Sequence, residues 1–596
     1  MKVDSLHFSE LAASFRQLEE TSSRIALVGI LAELFRSTPP DEIAPTTYLL
    51  QGRLAPAFVP LELGMGLQNV AAAIAQAYDT DRATVLRRFD RVGDLGTVAG
   101  QLAAEAGSSV QSTDTGYPLG VVPASVREVF DRLVETACMA GPGSVERKVS
   151  VLARLLSELD PLSATYLARI PLGTLRLGVG DLSILDAYSV AQVGDKSLRP
   201  RLERAYNETS DLGLIGATVW THGIDAVDAL GIRVGNPVRA MLAERLPSAE
   251  AILDKLGRCA IENKYDGFRC QVHKAGDDIK IFSRNLEEMT DAFPEIATGA
   301  VRQIGAETAI FEGEALAYNP LSDEYLPFQQ TMRRRRKHEI DATAAALPLR
   351  LFAFDVLYVD GENVTSQSYT DRRSRLGQLI VPGETILVSE AHIVDEVDTL
   401  MALFDDAIQN GLEGIMAKKL DAPYQAGARS LNWVKLKRAQ AGQLRDTVDC
   451  VIIGYIYGRG RRAALGVGAL LVAVYDPERD VFTSITKIGT GLSDAEWRAV
   501  RERCASCERE EKPARVESKL IPSVWVEPVV VVEVLADEIT RSPLYTAGVQ
   551  DNQPGYALRF PRLVGFREAD KRPEDATTVT EIVELYNQQG AKPVPG

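Results

Sequence analysis

Lys264-Tyr265-Asp266-Gly267, with Arg269 two residues further on, is the stretch on which the reading of this 596-residue chain turns. It sets an amine between turn-forming backbone and added positive charge. A free lysine, with a pKa of ~10.4, is almost wholly protonated at neutral pH. A lysine that acts as a nucleophile therefore needs desolvation or neighbouring cations that favour the neutral amine. Arg269 can supply one such charge. In isolation the four residues also read as a strand running into a turn, with Asp-Gly as the turn signal.

Residues further along the chain decide between the two readings. In order come Ser283-Arg284-Asn285, Phe311-Glu312-Gly313-Glu314, Phe354-Asp355-Val356-Leu357-Tyr358, Glu413-Gly414-Ile415-Met416-Ala417-Lys418, Trp433-Val434-Lys435-Leu436-Lys437 and Arg559-Phe560-Pro561-Arg562 with Asp570-Lys571. This ordered series resembles the motifs of the covalent nucleotidyltransferases, and among them the ATP-dependent DNA ligases of the archaeal and eukaryotic replicative kind. The resemblance spans nearly the whole chain, because Gly173-Thr174-Leu175-Arg176-Leu177-Gly178-Val179-Gly180 is also ligase-like.

Composition agrees with a large multidomain protein. At this length one core does not suffice, and three or four domains are expected. A hydrophobic share of 45% beside 25% charged residues is that of a soluble globular chain, with no long uncharged run to span a membrane. The start, Met1-Lys2-Val3-Asp4-Ser5, does not read as a signal peptide. A cytoplasmic protein working at the nucleoid is expected. Six scattered cysteines build no disulfide framework, and Cys504-Ala505-Ser506-Cys507 lacks a second pair to complete a zinc site. That also argues against the NAD-dependent bacterial ligases, whose resemblance would include a four-cysteine module.

A net charge of −16 runs against a nucleic-acid partner. Distribution matters more than the sum. Arg333 to Lys337, Lys435 to Arg438 and Arg459 to Arg462 are basic clusters within the motif-bearing region, and they suit a basic inner surface on an acidic exterior. Each alone also reads as a solvated face.

The first 235 residues show helical spacing, as in Phe15 to Phe35, Val70 to Ala77 and Val145 to Leu159, and predict an all-α domain. From 236 to 440 short strands such as Asp278 to Ser283 and Leu349 to Tyr358 predict a mixed α/β nucleotidyltransferase domain. The polar segment Arg438 to Leu444 reads as a hinge. From 441 to 596, strands at Cys450 to Tyr457, Ala469 to Tyr475, Thr483 to Ile488 and Val529 to Val534 predict a C-terminal β-barrel of the oligonucleotide-binding type, an OB-fold.

The resemblance also implies a chemistry for individual residues. Lys264 would attack the α-phosphate of ATP and carry AMP. Glu262 matches a position beside the adenine, and Phe354 one that stacks on it, although Leu351-Phe352-Ala353-Phe354 also reads as a buried strand. Arg269 and Arg284 match arginines that hold ribose and phosphates, a task suited to the guanidinium fork. Glu314 and Glu413 match acidic positions near the ribose and a Mg2+ (or Mn2+) ion, which takes one or two carboxylates plus phosphate. Lys435 and Lys437 alternate along a strand and so share a face. Lys418 and Arg429 match positions in the phosphate region, and Arg559 and Arg562 would contact the departing pyrophosphate. Two residues, Glu568 and Ala569, separate Arg567 from Asp570-Lys571 where close relatives have one, which leaves the register of Asp570 and Lys571 open.

The expected activity is the sealing of 5′-phosphate, 3′-hydroxyl nicks in duplex DNA, in replication, repair and recombination, by a monomer. RNA ligases and mRNA-capping guanylyltransferases share the chemistry but resemble only the catalytic and barrel parts. The helical first 235 residues set this chain apart from them. A non-catalytic DNA-binding relative would have lost Lys264 or its carboxylates, and all are present. A sliding clamp is a partner the family suggests, but no peptide with paired aromatics lies near either end.

Overall fold

The computed structural model describes residues 5–107, 124–319, 347–409, 412–437, 447–457, 467–489, 492–550, 553–567 and 570–589, with positions 325–326, 331, 334, 343–344 and 346. The hinge, most of the basic runs 333–337 and 459–462, Arg438, Glu568 and Ala569 lie outside these residues. Arg334 is described, and it is buried against Glu295 at 2.8 Å.

Helices from Phe8–Glu20 to Leu212–His222 build the N-terminal part around one apolar core. The stretch Phe15 to Phe35, with its helical spacing, falls in two helices, Phe8–Glu20 and Arg24–Ser37. Thr21-Ser22-Ser23 breaks it, because the Ser23 side chain accepts from the Ala26 amide and caps the second helix. A 3-10 turn, Ile224–Ala229, leads away from this bundle.

Among the described residues the central part holds the strands β1 (Leu242–Arg245), β2 (Cys259–Lys264), β3 (Phe268–Ala275), β4 (Asp278–Ser283), β5 (Thr308–Ala317), β6 (Leu349–Val359), β7 (Glu362–Asn363), β8 (Ile386–Val388), β9 (Ala391–Val394), β10 (Gly414–Lys419) and β11 (Arg429–Lys437). They form two sheets. One has the order β1-β11-β10-β2-β9, and the other β4-β3-β5-β6-β7 with β8 added beside β6. Lys264 ends β2 in the first sheet, and the next strand, β3, belongs to the second, so the Asp266-Gly267 turn carries the chain between them. A Cβ on Gly267 would sit 2.5 Å from the Ala315 carbonyl oxygen, so glycine is what allows the crossing to pass this close to β5.

The C-terminal part is strand-rich. Val448–Ile456, Ala469–Asp476 and Val481–Ile488 form the centre of a sheet that Val531–Leu535 and Arg562–Phe566 extend, a half-barrel in the place of the expected β-barrel. Helix Val579–Gln589 comes last. This part is docked on the helical domain through buried charge: Asp480, held within its own part by Arg515 at 2.6 Å, accepts from Arg24 at 2.8 Å, and Arg509 donates to the backbone oxygens of Arg176 and Glu19. Among the described residues no helix is long and apolar enough to cross a membrane.

Candidate active site

Three antiparallel strands, β2, β10 and β11, line up the chemistry in rungs. Lys264, Gly414 and Lys437 lie opposite one another, and the next rung on the same face holds Glu262, Met416 and Lys435. The third has Lys418 facing Trp433. Residues two apart along a strand share a face and stand roughly 6.8 Å apart, so this face runs from a charged end at Lys264 to an aromatic end at Trp433. Gly414 is required in the first rung. Its φ of +147° and a notional Cβ at 2.1 Å from the Leu436 carbonyl oxygen exclude a side chain.

At the charged end the Glu413 carboxylate bonds both Lys264 and Lys437. Burial works against its ionised form, yet the two ammonium groups hold its carboxyl well below the usual range. Glu314 and Asp266 face the same group of charges. Burial pushes Glu314 up to about 7 against the pull of Lys264 and Arg269, and burial with the Glu413 charge raises Asp266. Arg269 pairs across the β3–β5 ladder with Glu314. Its guanidinium donates to Glu312 and to the Met241 carbonyl oxygen, both at 2.8 Å, and its Nε has no hydrogen-bond partner among the described residues.

At the other end, Phe354 escapes the burial that its apolar neighbours suggest. Glu312 pairs with Asp355 and Gly313 with Ala353, which leaves Phe354 as the extra residue of a β-bulge. A bulge re-aims its side chain. The ring is half-buried, lines the cavity and meets Trp433 edge-on at 5.9 Å. Lys418, which the resemblance puts in a phosphate region, lies at the aromatic end. Its ammonium is buried between the Phe354 and Trp433 rings, 4.8 and 4.4 Å from their centroids, and donates to Glu262 at 2.9 Å. Antiparallel pairing accounts for this: moving four residues on from Gly414 moves two rungs away from Lys264.

A cavity of about 760 Å³ joins these groups, within the size range of small-molecule sites. Glu262, Lys264, Arg269, Arg284, Glu314, Phe354, Glu413, Lys418, Arg429, Lys435 and Lys437 all line it. The strand-rich domain supplies the far wall, including Asp449, Arg567, Asp570, Lys571 and Asp575. Lys571 bonds Asp449, Arg567 clamps Asp570 at 2.7 Å, and Asp575 stands 3.5 Å from Arg284. Asp570 and Lys571 therefore both face the cavity. Glu581, from the C-terminal helix, accepts from Arg429 at 2.6 Å and lies 3.8 Å from Lys435. Burial lowers Lys435 to about 7, with Glu581 opposing the shift. Arg559 is not brought in. It is exposed at the end of strand Gly555–Arg559, and Arg562 is turned to Asp537 at 2.9 Å.

Sequence reasoning missed Trp433, Tyr369, Ser389, Asp449, Asp575 and Glu581. For Trp433 the signal was present, since it alternates with Lys435 and Lys437 and must share their face. Tyr369 and Ser389 lie outside every recognisable motif.

Three family profiles match the chain: "DNA ligase N terminus" over residues 7–189, "ATP dependent DNA ligase domain" over 240–437 and "ATP dependent DNA ligase C terminal region" over 463–571. The chain is 47% identical over 582 residues to a "Probable DNA ligase" of Dictyoglomus turgidum, covering 98% of each. It is 41% identical over 591 residues to a "DNA ligase" of Aeropyrum pernix, again covering 98% of each. Among solved structures, "mycobacterial DNA ligase D complexed with ATP and MES" aligns at 25% identity and a TM-score of 0.32, over 57% of this chain and 97% of that one.

Proposed function

We propose, from the premise that this chain belongs to the ATP-dependent DNA ligases, that it seals nicks through a lysyl-AMP intermediate carried on Lys264. The observation that carries this reading is the position of Lys264 at the charged end of a cavity whose other end is aromatic. Lys264 Nζ attacks the α-phosphorus of ATP, a P–N bond forms, the bond to pyrophosphate breaks and the amine releases a proton. A 5′-phosphate oxygen of the nick then takes the AMP and frees the lysine. The 3′-hydroxyl finally attacks the 5′-phosphorus and AMP leaves.

The chain's own residues prepare each step. The single Glu413 carboxylate holds Lys264 and Lys437 together at the charged end of the cavity. Arg269, Arg284, Lys435 and Lys437 hold phosphate charge, and Phe354 with Trp433 shields the base from water. A divalent metal fits the donor set, since Asp266, Glu314 and Glu413 crowd negative charge that a hard cation would relieve. Glu314 and Glu413 would hold it. Among the described residues no group of three or more such side chains could hold an ion, and phosphate oxygens would complete the set. When bound, Mg2+ or Mn2+ supplies charge neutralisation at the phosphates.

The helical domain grips duplex DNA through its backbone, with the loop Gly173 to Gly180 approaching a groove. By the same reading the enzyme is a cytoplasmic monomer at the nucleoid that serves replication, repair and recombination, with a sliding clamp as a candidate partner. Incubation with α-labelled ATP or GTP, a denaturing gel and peptide mapping test the reading. Label from ATP on the Lys264 peptide, discharged by nicked DNA, is expected, and label on any other residue overturns it.

A further inference from the structure

Arg269 lines the cavity, but the side chains that set its direction do not. Its Nη1 donates to the Met241 carbonyl oxygen and its Nη2 to Glu312 Oε2, both at 2.8 Å. Tyr424 closes a ring through the same two residues: its Oη accepts from the Met241 amide at 2.9 Å and donates to Glu312 Oε2 at 2.8 Å. Burial and the adjacent Glu312 raise the Tyr424 phenol, so it keeps the proton it donates. Among the described residues the Arg269 Nε is left without a partner.

Two buried polar residues of β3 hold this ring from behind. Gln271 lies opposite Glu312 on the β3–β5 ladder. Its amide nitrogen donates to Glu312 Oε1 at 3.2 Å and to the Val238 carbonyl oxygen at 2.9 Å, and its oxygen accepts from the Val238 amide at 2.7 Å. His273 Nδ1 accepts from the Gly235 amide at 3.0 Å. A neutral imidazole that accepts at Nδ1 carries its proton on Nε2, and His273 Nε2 accordingly donates to Gln271 Oε1 at 2.9 Å. Burial, with Lys280 opposite on β4, lowers His273 to about 3, so the ring stays neutral. Both oxygen lone pairs and both amide protons of Gln271 are thereby used. Turning the amide over would set like groups together at Val238, Glu312 and His273, so it has one orientation.

The strap 235–241, which leads from the helical domain into β1, is also fixed on its other side. The Arg239 amide donates to the Asn207 carbonyl oxygen at 2.8 Å, Ser210 Oγ to the Pro237 oxygen at 2.6 Å, and the Arg239 side chain to Asp181 at 3.2 Å. Met241 thus offers Arg269 an acceptor whose place is set by both domains. An arginine ordered in advance gives up less freedom when a ligand binds.

We propose that Gln271, His273 and Tyr424 are positioning residues for the nucleotide: through Glu312 and the strap 235–241 they fix the Arg269 fork before a nucleotide arrives, and leave its Nε to donate to it. The proposal rests on the reading of the cavity as a nucleotide site and adds what holds that arginine ready.

The test is a double-mutant cycle on the full-length chain, read as the dissociation constant of α,β-methylene-ATP, an analogue that cannot be cleaved between its α- and β-phosphates. Binding is then measured apart from charging. Gln271→Leu is expected to weaken binding by about tenfold, the scale of one hydrogen bond to a charged group and of ordering one long side chain. In an Arg269→Ala background the same substitution should have no further effect, because the residue it positions is gone. Tyr424→Phe, which removes a single oxygen, should behave alike and takes the place of Gln271→Leu if that variant does not fold. Unchanged binding in the single variant, or an equal loss in the two backgrounds, as general loosening would give, overturns the proposal. Labelling by α-labelled ATP in the same preparations reports charging separately. A wild-type chain that binds the analogue but takes no label overturns the charging reading, and the cycle still decides this proposal; one that binds no analogue overturns both.

Discussion

Replacing Glu581 by Gln should separate the first chemical step from the later ones. Glu581 is the contact through which the C-terminal helix holds the strand-rich domain over the nucleotide cavity. Its Oε1 accepts from Arg429 at 2.6 Å, while Oε2 is spent on the Thr578 amide at 2.9 Å, a local bond that an amide side chain keeps. Glu581 is 6% exposed, and the Arg429 side chain is 15% exposed. At an effective dielectric of about 20, unit charges about 4 Å apart attract by about 4 kcal/mol. Desolvation takes back part of this, and hydrogen bonds to charged groups contribute about 1.5–3 kcal/mol. The closed arrangement should therefore lose about 2 kcal/mol, a factor of about thirty in the closed-to-open ratio. Charging with labelled ATP is expected to slow by about tenfold or more in single turnover, because Lys571 and Asp570 leave the cavity wall when the domain lifts. Sealing of nicks that already carry 5′-AMP should not slow. In a double-mutant cycle, Arg429→Ala should add little to Glu581→Gln, since both remove one contact. An equal or larger defect on pre-adenylylated nicks would refute this role for Glu581.

Lys264→Ala should abolish covalent labelling yet leave nicked-DNA binding by gel shift within a few-fold of wild type, because other groups hold the backbone. Lys571→Ala should slow charging far more than Arg559→Ala does, since only Lys571 lines the cavity; the reverse order in a labelling time course would show that a different closed arrangement is the active one. Gly414→Ala should lower stability by about 2 kcal/mol or more, read by denaturant titration, because it adds a Cβ at 2.1 Å from a carbonyl oxygen on a positive-φ backbone. The Glu314 carboxyl is raised from 4.5 to about 7, so its contribution to stability is present below about 4.5 and is lost as pH rises through about 7. In chelator, Glu314→Gln should therefore gain in melting temperature relative to wild type between pH 5 and pH 8, and a constant difference would refute the shift.

The rungs of the site are legible in the sequence, but what holds them is not. Alternation places Lys435 and Lys437 on one face, and strand pairing then brings Lys264 and Glu262 beside them, so anything encoded at period two along one strand can be read. Phe354 shows where that rule fails: its neighbours follow core alternation, and only the register shift against Glu312 and Gly313 frees its ring. Lys418 shows a second failure. The resemblance implies a phosphate role for it, whereas the antiparallel ladder carries each pair of residues one rung further from Lys264. The third failure is distance along the chain. Tyr369 and Glu581 reach the site from helices 107 and 152 residues away from the partners they bind, and no local pattern announces such a contact. Local periodicity thus encodes the reacting face, while its electrostatic setting comes from elements that only the fold brings together. The charge problem has the same solution: in a chain of net charge −16, Arg269, Arg284, Lys264 and Lys437 are gathered at one cavity and paired there with Glu312, Asp575 and Glu413 by elements that only the fold brings together.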